Sequence, residues 1–510
     1  MNVTKAVRNL KFVFGSVLIL SSVVAASAQV SVDARALAKF EKDLETGKLT
    51  QTEKPLLDFA LAHPNDPKAL ELMARLRLKQ GRFDEALALY RRVLSLDPQY
   101  TTAKVNYATG LLLTGQSDPA IRLLKEIDPS GIKDLITRLN LAQAHVLAGN
   151  CQAALSVMAK LPAAVLNTDA LAMRAKCYLQ LGDTGNLNAL IPLAKKAVTV
   201  SPNAVMRFAA VMIDAGQAKT AEEVLIAVSR SMPTNSTALT LLGKAEILEK
   251  NFTSARQHLE RAANLEKDST EVAYLLAELE VEQGHAATAV TLLKRASQLA
   301  PDSPDILGHL AMAAIKANQP GDAAEAAERL LTLRPDDPDS LYLLGAASLQ
   351  SGDLQKAQTN LERFTALRPA DSRGCLALGL TLATQPDKIE AARNQLLHCL
   401  DIDPRNTEAR YQLGLSYKAQ GDTSQAIRYL EETVRDAPKY ANALRDLGSV
   451  YLQAGNESKA RGTLERAVAI DPNDAETHFQ LSRLYNLIGE PALAKQNLDL
   501  FQKLKNGKNL

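Results

Sequence analysis

The feature that most constrains this chain is a recurring unit of about 34 residues. Frames open at Asp33, Pro67, Thr101, Leu135, Thr168, Pro202, Ser236, Thr270, Pro304, Pro338, Ser372, Thr407, Ala441 and Ala475. Twelve of the thirteen steps between them are 34 or 33 residues, and the other is 35. At the fifteenth place eleven of the fourteen frames carry Gly: residues 47, 81, 115, 149, 182, 216, 284, 352, 421, 455 and 489. The twentieth place is usually Ala, as at Ala86, Ala221, Ala357 and Ala460. Pro closes many frames, as at Pro64, Pro233, Pro335 and Pro472, and at Pro404 after one inserted residue. Such a period is read as an array before the chain is divided into domains. The length of 510 residues would otherwise suggest about three ordinary domains.

Each frame has a physical reading. Places one to fourteen show helical apolar spacing, as in Leu444, Leu447, Gly448 and Tyr451. Gly at place fifteen stops that helix, because a left-handed C-terminal cap costs Gly little. Asp353, Asp422 or Asn456 follows and can cap a second helix. The second helix repeats the spacing, as in Ala460, Leu464 and Ala467, and Pro ends it. Small residues at places eight and twenty predict a close approach of the two helices: Gly345 with Ala357, Gly414 with Ala426, Gly448 with Ala460. One pair this short cannot bury its apolar face, so neighbours must stack on it.

The stretches RYQLGLSYKAQGDTSQAIRYLEETVRDAP and LRDLGSVYLQAGNESKARGTLERAVAIDP carry the pattern most completely. It resembles the tetratricopeptide repeat (TPR) family over residues 33–508. The resemblance implies an all-α fold, an α-solenoid forming a right-handed superhelix of antiparallel helix pairs, with about 14 TPR-like repeats. Residues 33–66 are a degenerate first repeat, with Lys39 and Thr52 at core places, and 475–508 a terminal capping repeat. The family's frequent Trp at the fourth place is here mostly Leu, as at Leu70, Leu239 and Leu444. The frame from Leu135 lacks its closing Pro, and Gly185 and Asn186 stand where a second helix should start, which predicts a local bend. Pro386 replaces the turn Gly in the frame from Ser372.

The first residues are a separate object. Lys5, Arg8 and Lys11 precede FVFGSVLILSSVVAA, and Ala26-Ser27-Ala28 supplies small residues for cleavage. Residues 1–28 therefore read as a signal peptide, and the protein as periplasmic or secreted. An uncleaved N-terminal membrane anchor is the alternative, and the only membrane contact expected. Without residues 1–28 the chain carries 56 Lys and Arg against 57 Asp and Glu. That balance gives no basic face for nucleic acid.

Chemistry is sparse. His63, His145, His258, His285, His309, His398 and His478 show no metal-ligand spacing on one helix. His145 and His478 fall on inward places. No strand leads into a Gly-rich loop, and no Gly-x-Ser-x-Gly occurs. Neither catalysis nor a metal or other cofactor is expected. Cys375 and Cys399 lie on the two helices of one frame, and Cys151 and Cys177 on helices that pack together, so an oxidising compartment predicts the bridges Cys375–Cys399 and Cys151–Cys177. Four small buried thiols are the competing reading.

First helices line the concave wall of such an array. Its fifth places read Tyr274, Gly308, Tyr342, Leu376, Tyr411, Arg445 and Phe479, with Lys418, Asn442, Arg483 and Asn486 nearby. Tyr274, Tyr342, Tyr411, Arg445, Phe479 and Arg483 form the candidate groove for an extended peptide. The bland reading is that these rings pack on their neighbours. The family's carboxylate-clamping set of Lys and Asn is not found in order. The function expected is an exported scaffold or adaptor that binds cell-envelope proteins or peptides without catalysis. The alternative is a polysaccharide-export or envelope-assembly helper that binds a glycan or guides a polymer.

Overall fold

A computed structural model describes residues 33–507. The signal-peptide reading of residues 1–28, and residue 508 of the expected array, lie outside the described residues. Among those described, the chain folds into helices with no strand, and no helix is long and apolar enough to cross a membrane. The chain divides into two compact units, the first ending at Leu265 and the second beginning at Glu266.

The first unit contains α1 (33–45), α2 (Leu49–Ala62), α3 (Pro67–Lys79), α4 (Phe83–Leu96), α5 (Thr101–Leu113), α6 (Ser117–Lys125), α7 (Leu135–Leu147), α8 (Cys151–Met158), α9 (Ala163–Leu166), α10 (Leu171–Leu181), α11 (Thr184–Ala197), α12 (Pro202–Asp214), α13 (Ala218–Ser231), α14 (Ser236–Leu248) and α15 (Phe252–Leu265). The second contains α16 (Thr270–Glu282), α17 (Ala286–Leu299), α18 (Pro304–Lys316), α19 (Pro320–Leu333), α20 (Pro338–Ser351), α21 (Leu354–Leu367), α22 (Ser372–Ala383), α23 (Ile389–Ile402), α24 (Thr407–Ala419), α25 (Thr423–Asp436), α26 (Ala441–Gln453), α27 (Glu457–Ile470), α28 (Ala475–Leu487) and α29 (Pro491–Gly507). In each unit a helix packs on its hairpin partner and on the next hairpin, so each is an α-solenoid of stacked pairs.

The turn inside thirteen of the fourteen pairs is set by one backbone conformation, while α22 and α23 are joined through a 3-10 turn at Pro386–Lys388. All eleven Gly at place fifteen have positive φ, between 69° and 81°. Two frames without Gly there adopt the same conformation, Lys250 at φ 62° and Asn318 at φ 54°. The turn satisfies the orphan carbonyls of the first helix: the Gly81 N–H donates to Leu78 O at 3.2 Å and the Arg82 N–H to Arg77 O at 2.9 Å. In four pairs the second helix then starts on an Asp or Asn side-chain cap. Asp353 accepts from the Lys356 N–H, and Asp422 from that of Gln425.

Packing inside a pair differs in one detail from the small-residue reading. A Cβ on Gly448 would lie 2.5 Å from Leu464 Cγ but 3.5 Å from Ala460 O, so a leucine fills the space that glycine leaves. Gly345 with Leu361 and Gly414 with Leu430 repeat this at 2.6 and 2.7 Å. Between pairs, an arginine of α15, α17 and α19 donates to a carbonyl of the preceding loop: Arg261 to Pro233 O (3.1 Å), Arg329 to Pro301 O (2.7 Å), and Arg295 to Lys267 O. These contacts mark register more than they add stability.

The departures have local causes. Lys39 is exposed, while Phe40, Leu44 and Leu56 supply the core of the first pair, and Thr52 satisfies its hydroxyl on Lys48 O at 2.7 Å. After α8, which is short, the one-turn α9 stands in for the closing Pro. Gly185 and Asn186 do not delay the second helix: α11 begins at Thr184 because Asp183 accepts from both the Asn186 N–H (3.0 Å) and its Nδ2 (2.7 Å).

Cys375 of α22 and Cys399 of α23 form a disulfide, with Cα atoms 5.6 Å apart. The expected Cys151–Cys177 bridge is absent, and both thiols are free and buried. Cys151 Sγ instead donates to Gln180 Oε1 at 3.2 Å, and burial, then the neighbouring Cys151, push the Cys177 thiol up to about 12.

Two stability outcomes follow from these contacts. Lys250→Gly removes left-handed strain worth about 1 kcal/mol, offset in part by the freer unfolded chain, so the thermal midpoint rises; a fall would refute the role given to this turn. Replacing Cys375 and Cys399 by Ser opens a loop of 24 residues and costs about 3 kcal/mol on the chain-entropy account. Calorimetry with and without reductant reads this, and reductant should leave the double-Ser variant unchanged.

Candidate binding wall

The first helices of the second unit, α16 to α28 in even number, carry the predicted row. Tyr274 is half-buried and meets the His309 ring edge-on at 5.1 Å, its hydroxyl 3.1 Å from Nε2. Burial, then the Glu278 and Asp305 carboxylates, raise its phenol above the ordinary value. Tyr342 is half-buried against Phe364 (5.4 Å), and the Arg373 guanidinium lies 5.1 Å from its ring. Arg373 is held there by Asp339 (3.0 Å) and Asp371 (2.7 Å). Phe479 rests on Phe501 at 5.1 Å, and Arg483 is exposed beside Gln480.

Tyr411 and Arg445 have a different role. Tyr411 is only 6% exposed, and its hydroxyl donates to Asp446 Oδ2 at 2.8 Å. Burial and that carboxylate raise its phenol well above the ordinary value. Asp446 also accepts from Lys418 (2.7 Å) and Arg445 (3.0 Å), and Arg445 reaches Asp474 at 3.4 Å. Tyr440 stacks near Tyr411 at 4.9 Å and donates to Glu408 at 2.8 Å. This is a closed polar network linking three successive pairs. Tyr411 and Arg445 therefore hold the wall together, while Tyr274, Tyr342, Phe479 and Arg483 reach its surface.

Sequence reasoning missed a cleft of about 330 Å³ between α18 and α20. Gly308 and Met312 line it from one side, Asp339, Tyr342 and Leu343 from the other. Its one signal was Gly308 itself, a small residue at a place where the adjacent frames carry Tyr.

It missed a second wall as well, in the first unit. There α1, α3, α5 and α7 line a polar cleft of about 720 Å³, with Glu41, Lys68, Arg75, Tyr100, Thr102 and Asn140 on its walls. Glu71 is fully buried behind it, and desolvation raises its carboxyl against the pull of Arg75 and Lys68. Asn106 donates to Glu71 Oε1 at 3.0 Å, and Asn140 donates to Asn106 at 3.2 Å. Lys68 and Arg75 both reach Glu41, at 2.6 and 3.1 Å. Among the described residues no cluster of His, Cys, Asp and Glu could hold a metal ion.

With these stacked pairs in view, the class is a helical repeat protein. Two family models described as tetratricopeptide repeat match it, one over residues 309–357 and 411–475, the other over 77–134, 212–279, 246–313 and 280–325. Together they span a little over half of the chain, which belongs to the tetratricopeptide repeat family. Among solved structures, it is similar to the APC/C hetero-tetramer Cut9-Hcn1, at 15% identity and a TM-score of 0.44, covering 91% of this chain and 92% of that one. It is similar also to MamA, at 22% identity and a TM-score of 0.30, covering 33% of this chain and 97% of the other. No curated protein matches it.

The network around Asp446 yields a clear expectation. Tyr411→Phe leaves that buried carboxylate one donor short and costs about 1–3 kcal/mol, read by denaturant unfolding. An unchanged midpoint would return Tyr411 to the set of surface residues.

Proposed function

We propose that this protein is an exported scaffold that holds extended segments of cell-envelope proteins along the first-helix wall of its second unit, without catalysing a reaction. Tetratricopeptide repeats are a protein-interaction architecture, which is the coarse statement the family supports. The observation that carries the finer reading is the placement of Tyr274, Tyr342 and Phe479, half-buried rings that keep part of their surface exposed. Aromatic rings set on rigid helices give contact area at low entropic cost. The Cys375–Cys399 bridge suits an oxidising compartment, as does the N-terminal pattern of basic, apolar and small residues.

A second reading has its own support. The polar cleft of the first unit presents amides, hydroxyls and carboxylates beside Tyr100, groups that suit the hydroxyls of a glycan. A polymer guide would use that wall and leave the aromatic row idle.

Crosslinking in cells separates the two. Photoreactive residues at positions 342 and 479 should join the protein to other proteins, and Tyr342→Ala with Phe479→Ala should weaken that capture about tenfold without unfolding the chain. Crosslinks confined to positions 102 and 140, with retained glycan binding, would sink the scaffold reading. Fractionation tests export: the protein should leave the cytoplasm in shortened form, and an intact cytoplasmic chain would contradict it.

A further inference from the structure

The floor of the cleft between α18 and α20 is a glycine that the fold does not require. On other first helices glycine is enforced by packing, since a Cβ at Gly345, Gly379, Gly414 or Gly448 would come within 2.5–2.9 Å of a leucine. Gly308 has nothing within 4 Å of its Cβ position, and its φ is not positive. Glycine inside a helix is unfavourable relative to alanine, and Gly308, unlike the equally unconstrained Gly462, lines a cleft, where its missing side chain leaves room for another group.

Charge indicates what approaches. Residues 266–350, which build the cleft and the pair before it, carry 14 Asp and Glu against 6 Lys and Arg. An acidic field of this density draws and orients basic chains. The molecule also shows how this wall takes a cation. In the frame from Pro338, a guanidinium lies over the Tyr342 ring and is gripped by carboxylates, and Arg373, at the second place of the next frame, supplies it. In the frame from Pro304 the second place is Asp305, exposed on the cleft and, among the described residues, in no ion pair with a Lys or Arg. Arg334 adds one cation at the rim, and the charge of Arg373 is already matched by Asp339 and Asp371.

We infer that this cleft takes an arginine side chain from an extended basic segment of a partner protein. The aliphatic stem lies over Gly308 against the thioether of Met312, which is 44% exposed, and against Leu343. The guanidinium meets the Asp305 carboxylate, for which its planar fork is a better match than an ammonium. This rests on the reading that the second unit's first-helix wall holds extended segments, and it names the chemistry of the segment.

The test uses the purified protein and labelled peptides of alternating Arg-Gly, Lys-Gly or Glu-Gly, followed by fluorescence anisotropy at low ionic strength. The Arg-Gly peptide should bind tightest, and binding should weaken as salt is added. Gly308→Phe, which fills the cleft, should weaken it about tenfold, and Asp305→Asn about fivefold. Gly462→Ala, on the exposed face of α27, should leave binding unchanged. Gly308→Ala serves beside Gly308→Phe where the larger side chain unfolds the helix, and its melting temperature should rise while binding falls. Equal binding of the Glu-Gly peptide, or parental affinity in both Gly308 variants, overturns the cleft. If affinity survives at Gly308 but falls with Tyr342→Ala and Phe479→Ala, the wall stands and only the cleft is wrong. If no peptide binds and position 342 yields no crosslinks, the scaffold reading falls as well. Salt-sensitive self-association in place of peptide binding would seat a second copy there and overturn the assignment.

Discussion

A single left-handed residue in thirteen of the fourteen pairs is the constraint on which this structure depends. Each first helix must stop and reverse within two to five residues, or its apolar face misses the helix that follows. The positive φ at place fifteen performs the reversal, and eleven glycines adopt it without steric penalty. Lys250 and Asn318 adopt it too, although neither is glycine. At Lys250 a side chain with no local advantage accepts left-handed strain because the pairing on both sides is satisfied only that way. The packed face and both first-helix walls are positioned downstream of that turn, whereas the pair α22–α23 turns through Pro386–Lys388 and carries the disulfide.

The turn was legible in the sequence because it is a local demand. Gly at place fifteen and Ala at place twenty answer to the backbone a few residues away, so a period of 34 exposes them without knowledge of the fold. The wall was less legible because its residues answer to partners about a full repeat away. Tyr411 and Tyr342 occupy the same place in their frames. One donates to Asp446 and is buried, while the other packs under Arg373 and stays half-exposed. Nothing in the place itself separates them. What separates them is the residue that the next frame offers, Asp446 near one and Arg373 near the other. The cysteines teach the same lesson: two helix pairs bring thiols near each other, but Gln180 gives Cys151 another partner.

The two units manage polarity on their walls in different ways. In the first unit, carboxylate, amide and guanidinium groups form a chain from Glu41 through Arg75 and Glu71 to Asn106 and Asn140. Burying Glu71 is unfavourable by itself, as its raised carboxyl shows, and the chain of partners offsets that only in part. In the second unit, the pairs from Thr407 onward close a comparable network around Asp446, while the pairs from Thr270 to Pro338 are rich in acid. Their carboxylates outnumber their cations, and a glycine opens the floor between α18 and α20.

That contrast bears on how such a wall discriminates among partners. Groups already satisfied inside the protein gain little from a ligand and lose hydrogen bonds if one displaces them, so the closed network around Asp446 provides rigidity more than affinity. Groups held by packing, yet unsatisfied in charge or contact, gain the most, because the cost of fixing them was met when the helices stacked. Tyr342 is such a group: Phe364 and Arg373 fix its ring, and its exposed edge borders an open cleft. A segment without a cation would desolvate Asp305 and receive nothing in return, a penalty that acts against wrong partners even where the contact area is the same. Selectivity on a helical wall of this kind therefore comes from the few places where the repeat leaves its own pattern incomplete.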